Sequence, residues 1–305
     1  MDKTPNILVI GSTNMDLLLM THRIPQPGET MVSEKYGFSP GGKGANQAAA
    51  VSLLGGNSKF VGKVGNDNFG SMLRQSLAEC GVCTNFLGTS QEKSSGFAVI
   101  MLEEKGQNRI IIHQAANLDL CKADIDEAFK CSYDGMIIQF EIDAEIVIYA
   151  CELAKAKGIP YVVDAGPAQG FPLEKIHGMD ILSPNETETA FLSGVELLNH
   201  DDYLTAAKVM QKRSGAKYIV LKLGEQGSCL YADGKIKRFA AKKVDAIDST
   251  AAGDVFTAAL AIQYLKTSDI EKAIQYANIA GALTVTKPGA LQSIPSKADV
   301  EMHIH

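Results

Sequence analysis

Long apolar runs are missing from this chain of 305 residues. No window approaches the roughly 18 consecutive apolar residues that mark a transmembrane helix, so the sequence predicts no helix that spans a membrane. The N-terminus also lacks the basic stretch and following apolar segment of a secretion signal. We therefore expect a soluble, cytoplasmic protein.

An excess of positive charge is missing as well. The chain has 29 Lys and Arg against 35 Asp and Glu, which gives a net charge of −6 at pH 7 and a pI of about 5.6. Proteins that bind nucleic acid or anionic membranes generally need a basic surface. The composition argues against both kinds of partner, and it leaves open a local site for a small anionic molecule.

A second cysteine pair, which a zinc site would need, is also lacking. Cys80 and Cys83 form a C-x-x-C pair among the 6 cysteines, but no further pair has metal-ligand spacing and none of the 6 histidines lies at a matching interval. The surrounding letters, AECGVCTN, are typical of a helix end that runs into a turn. We expect ordinary reduced thiols.

Apolar runs typical of buried strands alternate with helical patterns along most of the chain. The predicted strands are Asn6–Gly11, Phe60–Gly65, Met136–Gln139, Tyr161–Val163, Ile181–Ser183 and Tyr218–Leu221, and the predicted helices are 43–54, Phe69–Cys80, Ala144–Lys157, Leu204–Arg213 and Val255–Leu265. This order predicts an α/β fold with a doubly wound, mostly parallel sheet and helices on both faces.

Two stretches interrupt the alternation. Met15–Phe38 is extended around a PQPGET turn, and Gly96–His113 has the pattern of a hairpin with the polar tip EEKGQN. We expect segments 15–40 and 96–114 to form a small β-sheet lid over one edge of the main sheet. Because no linker or repeat divides the chain, we expect residues 1–305 to form a single domain. Pairing of the exposed lid edges predicts a homodimer.

Small residues lead directly into the last predicted helix, in the sequence Asp248-Ser-Thr-Ala-Ala-Gly-Asp254. A helix begins with N–H groups that have no partner within the helix, and its dipole adds positive charge there, so this start is suited to bind an anion. Asp254 is open to two interpretations. It is either an N-cap, which is the commoner role, or a base that holds a substrate hydroxyl while the amides stabilise a transferred phosphoryl group.

A second Gly-rich stretch, residues 37–43, matches the core of a phosphate-binding P-loop but is followed by Gly44 where the motif needs Ser or Thr. We reject that motif, and the turn after Gly11 lacks the further glycines of a dinucleotide fingerprint. Two interpretations remain for the letters GGKGAN. Either the glycines let a ligand approach the backbone while Lys43 and Asn46 offer donors, or this is a Gly-rich turn with a solvated lysine.

Polar side chains follow three predicted strands, at the edge where open α/β sheets bind ligands. Asn14 and Asp16 together suit vicinal hydroxyls, although either one alone is more often a turn former. Glu141 ends the strand IIQFE. Asn185 and Glu188 form either a capping box or part of a shell around Mg²⁺ and phosphate.

Taken in this order, the motifs resemble the ribokinase-like family of sugar kinases, also called the PfkB family. GGKGANQAAA and DSTAAGDVF correspond to its two signatures, and the similarity extends over residues 6–300. GSTNMD, the PGET turn and the GQN tip resemble the members that phosphorylate ribose. The resemblance implies ATP-dependent phosphorylation of D-ribose at the 5-hydroxyl, with Mg²⁺ and K⁺ as cofactors. A kinase for another sugar or a nucleoside (fructose, deoxyribose or adenosine) and a non-catalytic sugar-binding regulator remain as alternatives.

The resemblance also assigns roles to individual residues. Asp254 corresponds to the base, and the anion hole that faces the γ-phosphate corresponds to Ala251, Ala252 and Gly253. The positions that bind the sugar are Asn14, Asp16, Gly42, Lys43, Asn46, Glu141 and Asp254. The positions that bind ATP and its Mg²⁺ are Asn185, Glu188, Lys222, Gly224, Gly227 and Asn278. An activating K⁺ corresponds to backbone groups of Asp248, Thr250, Thr284, Lys287 and Gly289 and to the hydroxyl of Ser293.

Three positions depart from the usual pattern of the ribose-phosphorylating members. Thr is frequent where Lys222 stands, a basic residue is common where Pro288 stands, and Asn is frequent where Asp164 stands. The K⁺ ligands are mainly carbonyl groups, so the change at Pro288 leaves that site intact. Asp164 receives no role. We expect Asp254 to be ionised at neutral pH, because a helix start favours its anion.

Overall fold

The structure is a computed structural model that describes residues 4–103 and 108–304. Its strands are β1 (Asn6–Ile10), β2 (Asn14–Thr21), β3 (Lys35–Gly41), β4 (Asn57–Gly65), β5 (Cys83–Ser90), β6 (Gly96–Glu103), β7 (Asn108–His113), β8 (Gly135–Gln139), β9 (Tyr161–Asp164), β10 (Ile181–Ser183), β11 (Tyr218–Lys222), β12 (Ser228–Ala232) and β13 (Lys235–Phe239). Its α-helices are α1 (Lys43–Leu53), α2 (Asn68–Glu79), α3 (Lys122–Ala128), α4 (Ala144–Ala156), α5 (Glu186–Ser193), α6 (His200–Ser214), α7 (Ala252–Thr267), α8 (Ile270–Thr284) and α9 (Lys297–Glu301). None of the helices in this part of the chain has the length and hydropathy of a segment that crosses a bilayer.

The large sheet has the strand order β13-β12-β11-β10-β9-β8-β1-β4-β5. Pairing is parallel from β11 through to β5, and β12 and β13 extend the sheet in antiparallel fashion. The prediction of a mostly parallel, doubly wound sheet is therefore confirmed. Its carboxyl edge collects the ends of β1, β8, β9 and β10.

Strand β1 shows why both faces of this sheet carry helices. Ile7 and Val9 pack into a core that includes residues of α1, α7 and α8, while Leu8 and Ile10 pack into a second core with residues of α4 and α6. All four side chains are fully buried. A strand buried on both faces reads as a continuous apolar run, which is the pattern that the sequence shows here.

Several elements differ from the predictions. The segment after Cys80, which we expected to be only a turn, leads into the edge strand β5. Strands β12 and β13 and helix α8 were not predicted, and α8 packs along α7. All of the cysteines, including those of the C-x-x-C pair, are free thiols.

A second sheet, with the strand order β3-β2-β6-β7, forms the lid. β2 follows β1 after three residues and pairs with β3 in antiparallel and with β6 in parallel fashion. Phe38 and Phe97 from this sheet pack on Phe69 of α2, with ring centroids 5.6 Å and 5.8 Å away. The predicted small β layer is present. Most of its predicted polar tip, residues 104–107, lies outside the described residues.

Candidate active site

The Gly-rich stretch brings the start of α1 against the end of β1. Gly42 has φ 91°, and a Cβ built on it would lie 2.8 Å from the backbone nitrogen of Asn14. A Cβ on Gly44 would lie 2.7 Å from the carbonyl carbon of Gly11. Only glycine allows backbones to approach so closely. The stretch follows the lid strand β3 and not a core strand, so it differs from a P-loop in structure as well as in sequence.

This close approach places the polar side chains of α1 on Asp254. Asn46 Nδ2 donates a hydrogen bond of 2.8 Å to Asp254 Oδ2, and Lys43 Nζ lies 3.7 Å from Oδ1. Asn46 is buried, and its Oδ1 has no hydrogen-bond partner among the described residues. A buried amide oxygen without a partner is suited to accept from a ligand hydroxyl.

Asp254 does not cap α7. The helix begins at Ala252, three residues before its predicted start, and its N-cap residue is Ala251, which has φ 62° and makes no capping hydrogen bond through its side chain. Asp254 lies in the first turn with its carboxylate directed to α1, and it is 5% exposed. The N-cap interpretation is therefore wrong. The carboxylate is instead held by side chains from another helix.

Burial raises the pKa of Asp254, and Asp164 raises it further, while Lys43 and the hydrogen bond from Asn46 oppose the rise. The shift is opposite to the one expected from the helix dipole alone, because removal from water outweighs that dipole. For Lys43, burial lowers the pKa, but Asp254 and other carboxylates outweigh burial and raise it. The lysine therefore stays protonated next to the carboxylate.

Three further polar residues, Asn14, Asp16 and Glu141, lie close to Asp254 and the start of α1. Asn14 is buried, and its Oδ1 accepts 2.8 Å from Nδ2 of Asn117. Asp16 lies on β2 of the lid, where burial first and then repulsion by Glu141 and Asp254 raise its pKa to about 7.

Glu141 lies two residues after the end of β8. Ser12 Oγ donates to its Oε2, and the backbone amide of Lys43 lies 3.3 Å from the same oxygen. Burial raises the pKa of Glu141, and Lys43 opposes the rise. Sequence reasoning missed Ser12 and Asn117, which orient side chains that it had identified.

The predicted capping box at the start of α5 is present. Asn185 Oδ1 accepts from the Glu188 amide, and Glu188 Oε2 accepts from the Asn185 amide, both at 2.8 Å. A Cβ built on Gly166 would meet Glu188 Oε1 and would lie 3.1 Å from Lys43 Nζ, so this oxygen faces the same edge of the sheet. Burial raises the pKa of Glu188, and Lys222 opposes the rise.

The other predicted ATP-binding residues lie beyond α5. Lys222 ends β11 and forms an isolated backbone bridge with Asn185. Gly224 and Gly227 bound the turn that follows, and a Cβ on Gly227 would meet the carbonyl oxygen of Phe239. Asn278 of α8 is buried and donates to the same carbonyl at 3.5 Å.

The predicted cation loop is held by Asp248. Its Oδ1 accepts from the amide and hydroxyl of Thr250 at 2.9 Å and 2.6 Å, and its Oδ2 accepts from the amide of Gly289 at 2.8 Å. These bonds lower the pKa of Asp248 against the effect of burial. The carboxylate thus ties two loops together.

The remaining members of the predicted cation site lie at the end of α8 and just after it. Thr284 and Ser293 are buried, and their hydroxyls donate to Ala280 O and Ala290 O. The amide of Lys287 lies 3.3 Å from Thr284 O. The backbone carbonyl groups of these loops are therefore the oxygen atoms available to the predicted cation.

Sequence reasoning did not predict a buried network of hydrogen bonds that lies next to Asp254. Asp164 Oδ2 accepts from Gln47 Nε2 at 3.0 Å, from Lys222 Nζ at 3.0 Å and from Thr257 Oγ1 at 2.8 Å. Gln47 also lies 3.3 Å from Asp254 Oδ1 and accepts from Gln139. Two signals of this network were present in the sequence. Asp164 directly follows a predicted strand, and Gln47 is the neighbour of the candidate residue Asn46.

The arrangement fits a divalent ion that arrives with phosphates. Among residues 4–103 and 108–304, no group of three or more His, Cys, Asp or Glu side chains is placed to hold a metal ion. Mg²⁺ is commonly bound by one or two carboxylates together with waters and substrate phosphates, so Glu188 beside the anion-facing helix starts is a sufficient protein ligand set. The described residues thus offer the Glu188 carboxylate, and no dedicated cage of protein ligands, to such an ion.

The chain is similar to known proteins over nearly its whole length. The chain matches the family model described as pfkB family carbohydrate kinase over residues 4–297. A ribokinase of Staphylococcus aureus (strain COL) is 34% identical over 301 residues, with 97% of this chain and 99% of that protein covered. A deoxyribokinase of Salmonella typhi is 32% identical over 296 residues, with 95% and 96% covered. The solved structure of Arabidopsis thaliana ribokinase with ribose and ATP has a TM-score of 0.90, 32% identity and 99% coverage of both chains. This chain belongs to the pfkB family of carbohydrate kinases and is a sugar kinase.

Proposed function

We propose that the protein transfers the γ-phosphoryl group of ATP to the 5-hydroxyl of D-ribose, with Asp254 as the base. The observation that carries this proposal is the position of Asp254, buried in the first turn of α7 and hydrogen-bonded by Asn46. A carboxylate there can accept a proton from a hydroxyl while the neighbouring amides face the phosphoryl group. Its raised pKa makes it a stronger base than an ordinary aspartate.

The sugar would occupy a pocket between the lid and α1. Carboxylates and amides from several elements converge there and suit a molecule with several hydroxyl groups. The residues that would bind it are Asn14, Asp16, Gly42, Lys43, Asn46, Glu141 and Asp254. Closure of the lid over the sugar would exclude water and so limit hydrolysis of ATP.

The phosphates would lie between the starts of α5 and α7. Ala251, Ala252 and Gly253 would form the anion hole, although the Ala252 amide already lies 3.3 Å from Ser249 O, so Gly253 has the freer amide. Mg²⁺ bound with ATP would neutralise phosphate charge, and Asn185 and Glu188 would hold it through its waters. Lys222, Gly224, Gly227 and Asn278 would line the remainder of the nucleotide site.

A potassium site next to the anion hole belongs to the same proposal. Oxygen atoms of Asp248, Thr250, Thr284, Lys287, Gly289 and Ser293 would surround the ion, and its charge would fix the loop that presents the amides. The hydrogen bonds to the Asp248 carboxylate support this proposal, because two of them hold Thr250 within the loop and the third, from the amide of Gly289, ties that loop to the turn at Gly289.

We further propose that residues 1–305 act as one kinase domain with the lid sheet as its cover, and that two lids pair in a homodimer. A cytoplasmic location belongs to the same proposal. The cysteines are free thiols, as is usual in a reducing compartment, where ATP is also available.

The test is ADP release with ATP and D-ribose, with deoxyribose, fructose and adenosine in parallel, each with and without K⁺. D-ribose should give the highest kcat/KM. Asp254→Asn should lower kcat by roughly 10²–10⁴-fold, because a general base contributes about that much, while sugar binding measured by calorimetry is retained. Asp245→Asn, an exposed aspartate in the preceding loop, is the matched control. An Asp254→Asn variant with unchanged kcat would refute the assigned base.

Deoxyribose is the second candidate substrate, and the similarity to a deoxyribokinase favours it. The two pentoses differ only in the 2-hydroxyl, so the ratio of their kcat/KM values separates the two candidates. A higher value for deoxyribose would replace the first proposal with the second. If the protein binds sugar but releases no ADP with any substrate, the non-catalytic regulator becomes the better description.

A further inference from the structure

Asp164 is a fully buried carboxylate at the end of β9, directly below the proposed catalytic base. Three donors from three different elements bind the same oxygen, Oδ2, namely Gln47 of α1, Thr257 of α7 and Lys222 of β11. Burial acts to raise the pKa of Asp164, but Lys222 and Lys43 outweigh burial and hold it below its usual range. The group is therefore an anion that is fixed in place.

Lys222 is the other member of this ion pair. Its side chain is 11% exposed, and its ammonium lies 3.0 Å from Asp164 Oδ2 and 3.7 Å from the position of a Cβ built on Gly253. The ammonium is thus next to the first turn of α7, and its interaction with the Glu188 carboxylate places it near the start of α5 as well. A lysine ammonium has three N–H donors, so the bond to Asp164 leaves donors for another acceptor.

We propose that Asp164 is a positioning residue that holds the Lys222 ammonium at the first turn of α7, where Lys222 contacts the phosphoryl group as it is transferred. This inference rests on the proposed function. It also explains by one contact the two departures from the pattern of the ribose-phosphorylating members, because Asp164 and Lys222 are each other's partners.

The physical reason is the flexibility of lysine. A four-carbon side chain loses much conformational freedom when its charge is held at one point, and transfer of a phosphoryl group depends on charges already aligned with it. Gln47 and Thr257 fix the carboxylate, and the carboxylate fixes the ammonium. The ammonium can then neutralise charge that spreads over the phosphoryl oxygens.

Three variants test the pair. Lys222→Met removes the ammonium, Asp164→Asn removes its anchor, and Asp164→Asn/Lys222→Thr carries the residues frequent at these positions in the family. At saturating ATP and sugar, Lys222→Met should lower kcat by about 100-fold, the size of losing one group that stabilises transition-state charge. Asp164→Asn should lower kcat by roughly 10-fold or more through misplacement of Lys222. Sugar affinity measured without nucleotide should change much less than kcat.

The double variant shows whether the two residues act through one contact. Its kcat should be no lower than that of Lys222→Met, because Asp164 has no ammonium left to position once Lys222 has been replaced. It also leaves no unpaired charge in the site, so it should fold even if Asp164→Asn alone does not. Thermal unfolding of all three variants accompanies the kinetics.

The pH dependence of kcat provides a readout that a purely structural role would not move. The charged groups that face Asp254 are Lys43 of α1, Asp164 of β9, Lys222 of β11, Asp16 of β2 and Glu141 after β8. Asp164 raises the pKa of Asp254 and Lys222 lowers it. Lys222→Met should therefore shift the acidic limb to higher pH, Asp164→Asn should shift it to lower pH, and the double variant should lie near the wild type.

The inference is overturned if Lys222→Met retains wild-type kcat, if the losses in the double variant add, or if both single variants shift the acidic limb in the same direction. Failure of the proposed function has a different signature. In that case the wild-type protein itself releases no ADP with any of the sugars, and the inference falls with it.

Discussion

Asp16 links the lid to the charge balance of the site. Burial, together with Glu141 and Asp254, raises its pKa to about 7 from the usual 3.8. A carboxyl group with a raised pKa binds its proton more tightly in the folded state than in the unfolded state. Its contribution to stability is therefore complete below about pH 4 and is lost as the pH rises to about 7.

The direction of this pH dependence leads to a prediction for the Asp16→Asn variant of the protein without ligands. The variant should match the wild type in free energy of unfolding at pH 4 and exceed it at pH 8 by about 1–3 kcal/mol, because asparagine cannot ionise in the buried position. Urea unfolding at the two pH values measures the difference. Repulsion between Asp16 and the carboxylates of Glu141 and Asp254 is part of this gain, because the variant removes it, whereas the raised pKa of Glu188 is present in both proteins. The exposed Asp245→Asn should show no pH-dependent gain, and an equal gain there would contradict the explanation.

The close packing of helix α1 against the end of β1 requires a residue without a side chain at Gly44. A Cβ on Gly44 would lie 2.7 Å from both the carbonyl carbon of Gly11 and the backbone nitrogen of Ser12, and backbone atoms cannot turn aside as a side chain can. Gly44→Ala should lower the free energy of unfolding by about 1–3 kcal/mol, as overpacking does. It should also raise the KM for sugar, because Lys43 and Asn46 move with the helix.

The matched control for this prediction is Gly37→Ala in β3. A Cβ there meets no atom within 4 Å, and the backbone conformation suits any residue. Stability and KM should both stay near the wild-type values. Equal losses in the two variants would mean that the close packing at Gly44 is not the cause.

The start of α7 holds a strained residue. Ala251 has φ 62°, a left-handed conformation that disfavours residues with a Cβ. Ala251→Gly should raise the free energy of unfolding by about 0.5–1 kcal/mol if relief of strain exceeds the added entropy of the unfolded chain. Ala252→Gly, one residue later and inside the helix, should lower it. Chemical unfolding of both variants measures the two signs, and a loss in both would show that Ala251 is not strained.

The sequence made several elements predictable that are buried on one or two faces, although it did not reveal the buried β12 and α8. The residues of β1 are apolar without interruption, and α1 and α4 have regular helical patterns between turn signals. Strand β5 has the polar sequence CTNFLGTS, and β13 exposes charged residues such as Lys235 and Arg238. Edge strands of this kind have water on one side, so their apolar pattern is too weak to be recognised.

At the scale of the whole molecule, the site was predictable where it rests on local signals and not where it rests on packing. Asn14, Asp16 and Glu141 follow strands, and the geometry of a parallel sheet brings such ends together. The partner of Asp164 is 58 residues away in sequence, and the contact depends on how β9, β11 and α7 pack. No pattern in one sequence fixes that distance.

The lid presents an apolar surface that one chain leaves uncovered. Ile110 and Ile112 of the edge strand β7 are 52% and 41% exposed, and they share a face because side chains alternate along a strand. Ile112 pairs with Ala98, and Ala98 pairs with Asp16. Ile112 therefore lies on the same face of the sheet as Asp16, the carboxylate that we propose binds the sugar. A second lid over this face would bury the isoleucines and cover the strand edge.

We therefore predict a homodimer that depends on this face of the lid. Ile110→Lys/Ile112→Lys should give a monomer in light scattering, because two charges at the interface would have to be desolvated. The sugar KM should rise in the same variant, since the partner lid would no longer hold the cover over the pocket. Ile111→Lys, on the opposite face of the same strand, is the matched control and should remain dimeric. A wild-type monomer at micromolar concentration, or a double variant that stays dimeric, would show that the lid closes without a second copy.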